Sequence, residues 1–72
     1  MRFKLISCGN VVGYVDTRDS AEMEAAAYSR SVTEFGVDIY GTILGEYAWM
    51  ARFYDGQCAE KMRGYGPVLQ QA

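Results

Sequence analysis

The sequence predicts an α+β domain: a small antiparallel sheet of two hairpins braced by one amphipathic helix. The element order is ββαββ, followed by a C-terminal strand or short helix. Two pairs of strand-like runs are each split by a glycine-containing turn signal, Gly9-Asn10 and Gly45-Glu46. Between the pairs lies one segment with helical spacing of apolar residues. The chain has 72 residues, of which 50% are hydrophobic and 22% charged, a balance that suits one globular domain. Residues 1–66 are assigned to that domain and 67–72 to a loosely held tail.

In the first hairpin, residues 2–8 and 11–16 read as strands around Gly9-Asn10. With that loop Cys8 opposes Val11. Phe3, Leu5, Val12 and Tyr14 then share one face, and Ile6, Cys8, Val11 and Val15 the other. Both faces are apolar near the turn, so the pattern alone does not choose the core side.

The helix is expected over about 20–35. Asp19 is a suitable N-cap and Glu22 follows three residues later, a variant of the capping box. Ala21, Ala25, Tyr28, Val32 and Phe35 recur at helical spacing and form one stripe. The small residues at its N-terminal end allow a close approach to a sheet. Ala25-Ala26-Ala27 adds helix propensity. Glu22 and Glu24 complement the dipole in the first turns, and Gly36 stops the helix.

In the second hairpin, residues 37–44 and 47–54 alternate as strands around Gly45-Glu46. One face holds Val37, Ile39, Ile43, Ala48 and Met50 and ends in Arg52 and Tyr54. The other holds Asp38, Tyr40, Thr42, Leu44, Tyr47, Trp49 and Phe53. Beyond it, Asp55-Gly56 would open a hairpin into a fifth strand over 57–63. The residue types there favour a short helix instead, ended by Gly64 and Pro67.

Composition bears on function. Seven Lys+Arg against nine Asp+Glu give a net charge of −2, and the cations are scattered, so nucleic acid is not an expected partner. No apolar run approaches the about 20 residues of a membrane helix, and no secretory leader is read at the start. A cytoplasmic protein is therefore expected. There is no histidine, which removes the usual general base and the commonest metal ligand. Cys8 and Cys58 are read as two buried thiols; they lack zinc-site spacing and an adjacent base. Asp16, Asp19, Glu22 and Glu24 are explained by capping and dipole complementarity rather than as a cation site. Gly64 and Gly66 do not form a phosphate loop. No catalytic residue, metal or cofactor is expected, and none of these residues composes a motif that marks a family.

The candidate partner-binding residues are Tyr40, Tyr47, Trp49 and Phe53, with Asp38 and Arg52 setting register. One helix covers one face of a small antiparallel sheet and can leave the other to water. If the aliphatic face takes the helix, this ring-rich face stays outward. If the rings take the helix, Arg52 marks the solvent side. Each face ends in a charge, so charge does not decide between them. The expected function is a non-enzymatic protein-binding domain that presents a sheet face or edge to a protein partner. Small acidic domains of this kind recur among phage and mobile-element inhibitors of host proteins, anti-CRISPR proteins included; that is an analogy of size class alone. The alternative is a structural homodimer associating through its sheet face.

Overall fold

The computed structural model describes residues 2–32 and 34–69. Five strands and one helix follow in the order ββαβββ: β1 (Phe3–Ser7), β2 (Asn10–Val15), α1 (Arg18–Ser31), β3 (Val37–Ile43), β4 (Glu46–Tyr54) and β5 (Gln57–Lys61). They form one sheet of order β2-β1-β3-β4-β5, antiparallel at every pairing. The two hairpins join through β1 and β3, and α1 lies across one face. Among the described residues no helix is long and apolar enough to cross a membrane.

Gln57–Lys61 is a strand, not the short helix its propensity favours. Asp55-Gly56 decides this, with φ of 50° and 84°. Two positive φ values make a type I′ turn, whose twist matches paired strands. The pairing to β4 then outweighs the weak propensity of a five-residue segment.

The other hairpins close on the same turn, one residue earlier than expected. Their loops are Cys8-Gly9 and Leu44-Gly45, closed by Ser7 opposite Asn10 and Ile43 opposite Glu46. Glycine takes the second central position, as a type I′ turn prefers, rather than the first. The earlier turn pairs Ser7 with Asn10 and Ile6 with Val11, and an extra residue at Val12 then sets Leu5 opposite Gly13, Lys4 opposite Tyr14 and Phe3 opposite Val15. The extra residue reverses the alternation of β2 beyond Val12, so Tyr14 leaves the expected Phe3–Leu5 face and Val15 joins it. Cys8 sits exposed on its turn and Cys58 is half-buried; both thiols are free, so the expectation of two buried thiols fails for Cys8.

Each hairpin also carries one β-bulge, with the extra residue at Val12, Met50 or Ala59. The bulge at Met50 matters most. Ile39 opposes Ala51 while Tyr40 opposes Trp49, so Met50 and Ala51 both face inward. An inserted residue reverses the alternation beyond it. Phe53 therefore turns into the core and Arg52 turns out, the opposite of a regular strand.

Helix α1 starts at Thr17, whose hydroxyl accepts from Ser20 N–H at 3.1 Å, so Thr17 and not Asp19 is the N-cap. It ends at Ser31, earlier than position 35. Its buried stripe is Ala21, Glu22, Ala25, Ala26 and Ser29. Ala21 and Ala25 lie on it as expected, but Tyr28 and Phe35 are exposed. The sheet supplies the bulk instead: Phe3, Leu5, Val37, Ile39 and Phe53 fill the layer beneath. Large rings on one side leave room only for small side chains on the other. Fully burying side chains of this size stabilises by about 1.5–3 kcal/mol each.

Ser29 ties the helix to a turn. Its hydroxyl donates to Ala26 O at 3.0 Å and accepts from Gly56 N–H at 2.9 Å, both buried. The segment after β5 folds back on the helix. Arg18 donates to Pro67 O, and Leu69 N–H donates to Glu22 Oε1 at 2.8 Å. Residues 67–69 are thus held rather than loose, and 70–72 lie outside the described residues.

Candidate functional site

The face of the sheet opposite α1 is built by register. Across β2, β1, β3 and β4 runs a row of Tyr14, Lys4, Tyr40 and Trp49. Beside it, extending to β5, runs Val11, Ile6, Asp38, Arg52 and Glu60. Thr42 and Tyr47 pair on one flank, and Tyr54 lies beyond Arg52 on the other. Tyr14 and Tyr47 are 56% and 37% exposed; Tyr40 and Trp49 are half-buried among their neighbours.

Of the six residues expected to bind a partner, five converge here: Asp38, Tyr40, Tyr47, Trp49 and Arg52. Phe53 does not. It is 1% exposed beneath the helix, because the Met50 bulge reverses its direction.

Asp38 organises the centre. Its Oδ1 accepts from Trp49 Nε1 at 3.0 Å and from Arg52 Nε at 2.9 Å, and Arg52 Nη2 reaches Oδ2 at 3.4 Å. The indole is thereby fixed in direction. Hydrogen bonding to Asp38, together with its charge, raises the Arg52 pKa, so Arg52 remains fully charged. This Asp38–Arg52 pair is largely exposed, so its role is orientation more than stability.

Two further cations lie over the rings. Lys4 Nζ is 4.3 Å from the Tyr47 centroid and 5.8 Å from that of Tyr40; Arg2 Cζ is 5.6 Å from that of Tyr14. Sequence reasoning missed Arg2, Lys4 and Tyr14. The Cys8-Gly9 turn alone would set Lys4 opposite Gly13; the extra residue at Val12, which no residue type announces, brings Tyr14 there instead.

The helix side holds a second cluster. Glu22 is 1% exposed. Its Oε2 accepts from Arg18 Nε at 3.0 Å and from the Tyr65 hydroxyl at 2.6 Å. The Arg18 guanidinium lies 4.0 Å from the Tyr65 ring centroid. Burial alone would raise the Glu22 pKa. Hydrogen bonds from Tyr65, Leu69 N–H and Arg18, with the Arg18 charge, outweigh it and hold the carboxyl below its usual range. Glu22 was expected to serve capping and dipole complementarity; no local pattern marks the distant Tyr65 as its partner.

Next to this cluster is an apolar cleft of about 320 Å³, walled by Phe3, Ile43, Met50, Met62 and Tyr65 with Arg18 at its edge. Arg18 is already engaged by Glu22 and Pro67, so the cleft offers little polar chemistry. Among the described residues no three Cys, Asp or Glu side chains converge as metal ligands would.

Family models, curated proteins and solved structures alike provide no match to this chain.

Proposed function

We propose that the protein is a non-enzymatic binding domain that docks a protein partner on the open face of its sheet. The observation carrying this reading is the row Tyr14, Lys4, Tyr40 and Trp49 on a face opposite the lone helix, with the indole fixed by Asp38. Tyr and Trp dominate interface hot spots because they bury large area for little lost entropy. A pre-oriented ring saves the ordering free energy that binding otherwise spends. The blocking role expected from size class belongs to the same reading, since a rigid face covering a partner's surface occludes it.

Affinity capture with the wild-type chain and with the Tyr40→Ala/Tyr47→Ala double variant tests it, alongside sedimentation at low micromolar concentration. A partner retained by the wild type and lost by a folded double variant is the expected result. Identical capture by the two chains overturns it. A dimer dissociated by the same double substitution reassigns the face to a second copy of the chain.

A further inference from the structure

We infer that the partner surface docked on the open face is acidic, a protein segment in which Asp or Glu alternate with apolar side chains. This rests on the reading above and adds the partner's chemistry. The argument is the distribution of charge between the two layers. The open face carries Arg2, Lys4 and Arg52 against Asp38 and Glu60, an excess of cations on a chain whose net charge is −2. Of the remaining exposed carboxylates, Asp16, Asp19, Glu24 and Glu34 lie on α1 and the connections at its ends, and Glu46 and Asp55 lie at the hairpin turns that flank β4.

Pairing within the face sharpens this asymmetry. Asp38 has both oxygens engaged by Trp49 and Arg52, so its charge is compensated in place. Glu60 opposes Arg52 on the neighbouring strand. Arg2 and Lys4 form no ion pair among the described residues. Their charges sit over Tyr14, Tyr40 and Tyr47. A ring face attracts a cation without neutralising it, so the charge stays available to an incoming carboxylate. That carboxylate would meet the Lys4 ammonium between two rings, and the apolar neighbours on either side would cover the rings. Opposite potentials across an interface steer association and reject like-charged surfaces. Single-stranded nucleic acid also stacks on aromatic platforms, but it needs cations tracking successive phosphates. Here the second row places Asp38 and Glu60 in that path.

The test is selection from a random dodecapeptide display library on the wild-type chain, with counter-selection on Tyr40→Ala/Tyr47→Ala and a parallel titration with oligothymidylate followed by Trp49 fluorescence. Peptides that depend on the two tyrosines are expected to carry more Asp and Glu than Lys and Arg. Their affinity should fall about tenfold or more in Lys4→Glu, fall less in Lys4→Gln, and weaken between about 50 and about 500 mM salt. Lys4→Gln removes the charge without adding one and serves if Lys4→Glu disturbs the fold. Tyrosine-dependent peptides without an acidic excess, or indifferent to both Lys4 variants, overturn the acidic partner and leave the docking face standing. An absence of tyrosine-dependent peptides removes the docking face and this inference together. Oligothymidylate bound more tightly than any recovered peptide, and lost in the double variant, transfers the face to single-stranded nucleic acid and overturns both.

Discussion

The Tyr65 hydroxyl donates to Glu22 Oε2 at 2.6 Å, a buried contact between residues forty-three apart in the chain. It joins the first turns of α1 to the segment that follows the last strand. Arg18 closes the arrangement from above, bonded to the same carboxylate oxygen and stacked on the Tyr65 ring. A carboxylate taken out of water is tolerated when donors satisfy it. Here three donors do so, and the C-terminal segment is held in place as a consequence.

Acid should weaken this closure. Glu22 titrates below its usual 4.5 in the folded protein. Between the two values the unfolded chain binds more protons than the folded one. The stabilisation is therefore complete above the unfolded value and is lost as pH falls through the lower folded value. Denaturant midpoints measured from about pH 6 down to about pH 3 should fall more steeply for the wild type than for Glu22→Gln. At neutral pH the variant should be less stable by about 1–2 kcal/mol. Parallel acid limbs would remove Glu22 as the source.

Alkali should weaken it from the other partner. Burial, and then the neighbouring Glu22 carboxylate, push the Tyr65 phenol above its ordinary 10. The folded protein holds that proton more tightly, so this contribution is full below pH 10 and lost as pH rises through the folded value. Tyrosinate absorbance should show one late-titrating phenol in the native protein, absent from Tyr65→Phe. The variant should also lose about 1 kcal/mol at neutral pH.

Ser29→Ala should be costly for so small a change. It removes the buried acceptor of Gly56 N–H and leaves that donor unpaired beneath the helix. A loss of about 1–3 kcal/mol is expected by chemical denaturation. Amide exchange at Gly56 should accelerate more than exchange in β1. Unchanged protection at Gly56 would mean that another group replaces the hydroxyl.

Leu44→Asn should stabilise the fold. Leu44 is 99% exposed and sits at φ of 51°, in the left-handed region that a branched side chain disfavours. Asparagine suits the first position of a type I′ turn. A gain of about 1 kcal/mol, read as a rise in Tm of about 4–8 °C for a domain of this size, is expected. An unchanged or lower Tm would show that Leu44 contacts compensate for its backbone.

The α+β class, the helix and the first four strands were legible because each is a local pattern. Turn glycines punctuate the chain, and alternation or helical spacing fills the intervals. The face that gathers Asp38, Tyr40, Tyr47 and Trp49 was legible for the same reason, since it needs only regular alternation within two strands. Phe53 escaped because a single inserted residue at Met50 reverses direction, and no residue type announces a bulge there. Lys4 and Tyr14 escaped because their pairing depends on which of two adjacent positions the turn glycine occupies and on a second inserted residue, at Val12.

Local patterning also bounded what each helix face could be, but not which face turns inward. That choice depends on how much volume Phe3, Phe53 and Tyr65 fill once β1, β4 and the C-terminal segment meet. With the rings in place, only alanines, a serine and a fully bonded glutamate fit against them. Tyr28 is therefore displaced to the surface. The fate of residues 57–61 was settled by the Asp55-Gly56 turn together with the neighbour it brings them to in β4, against their own preference. Pairing and volume are properties of segments brought together, so reading one segment at a time leaves them open.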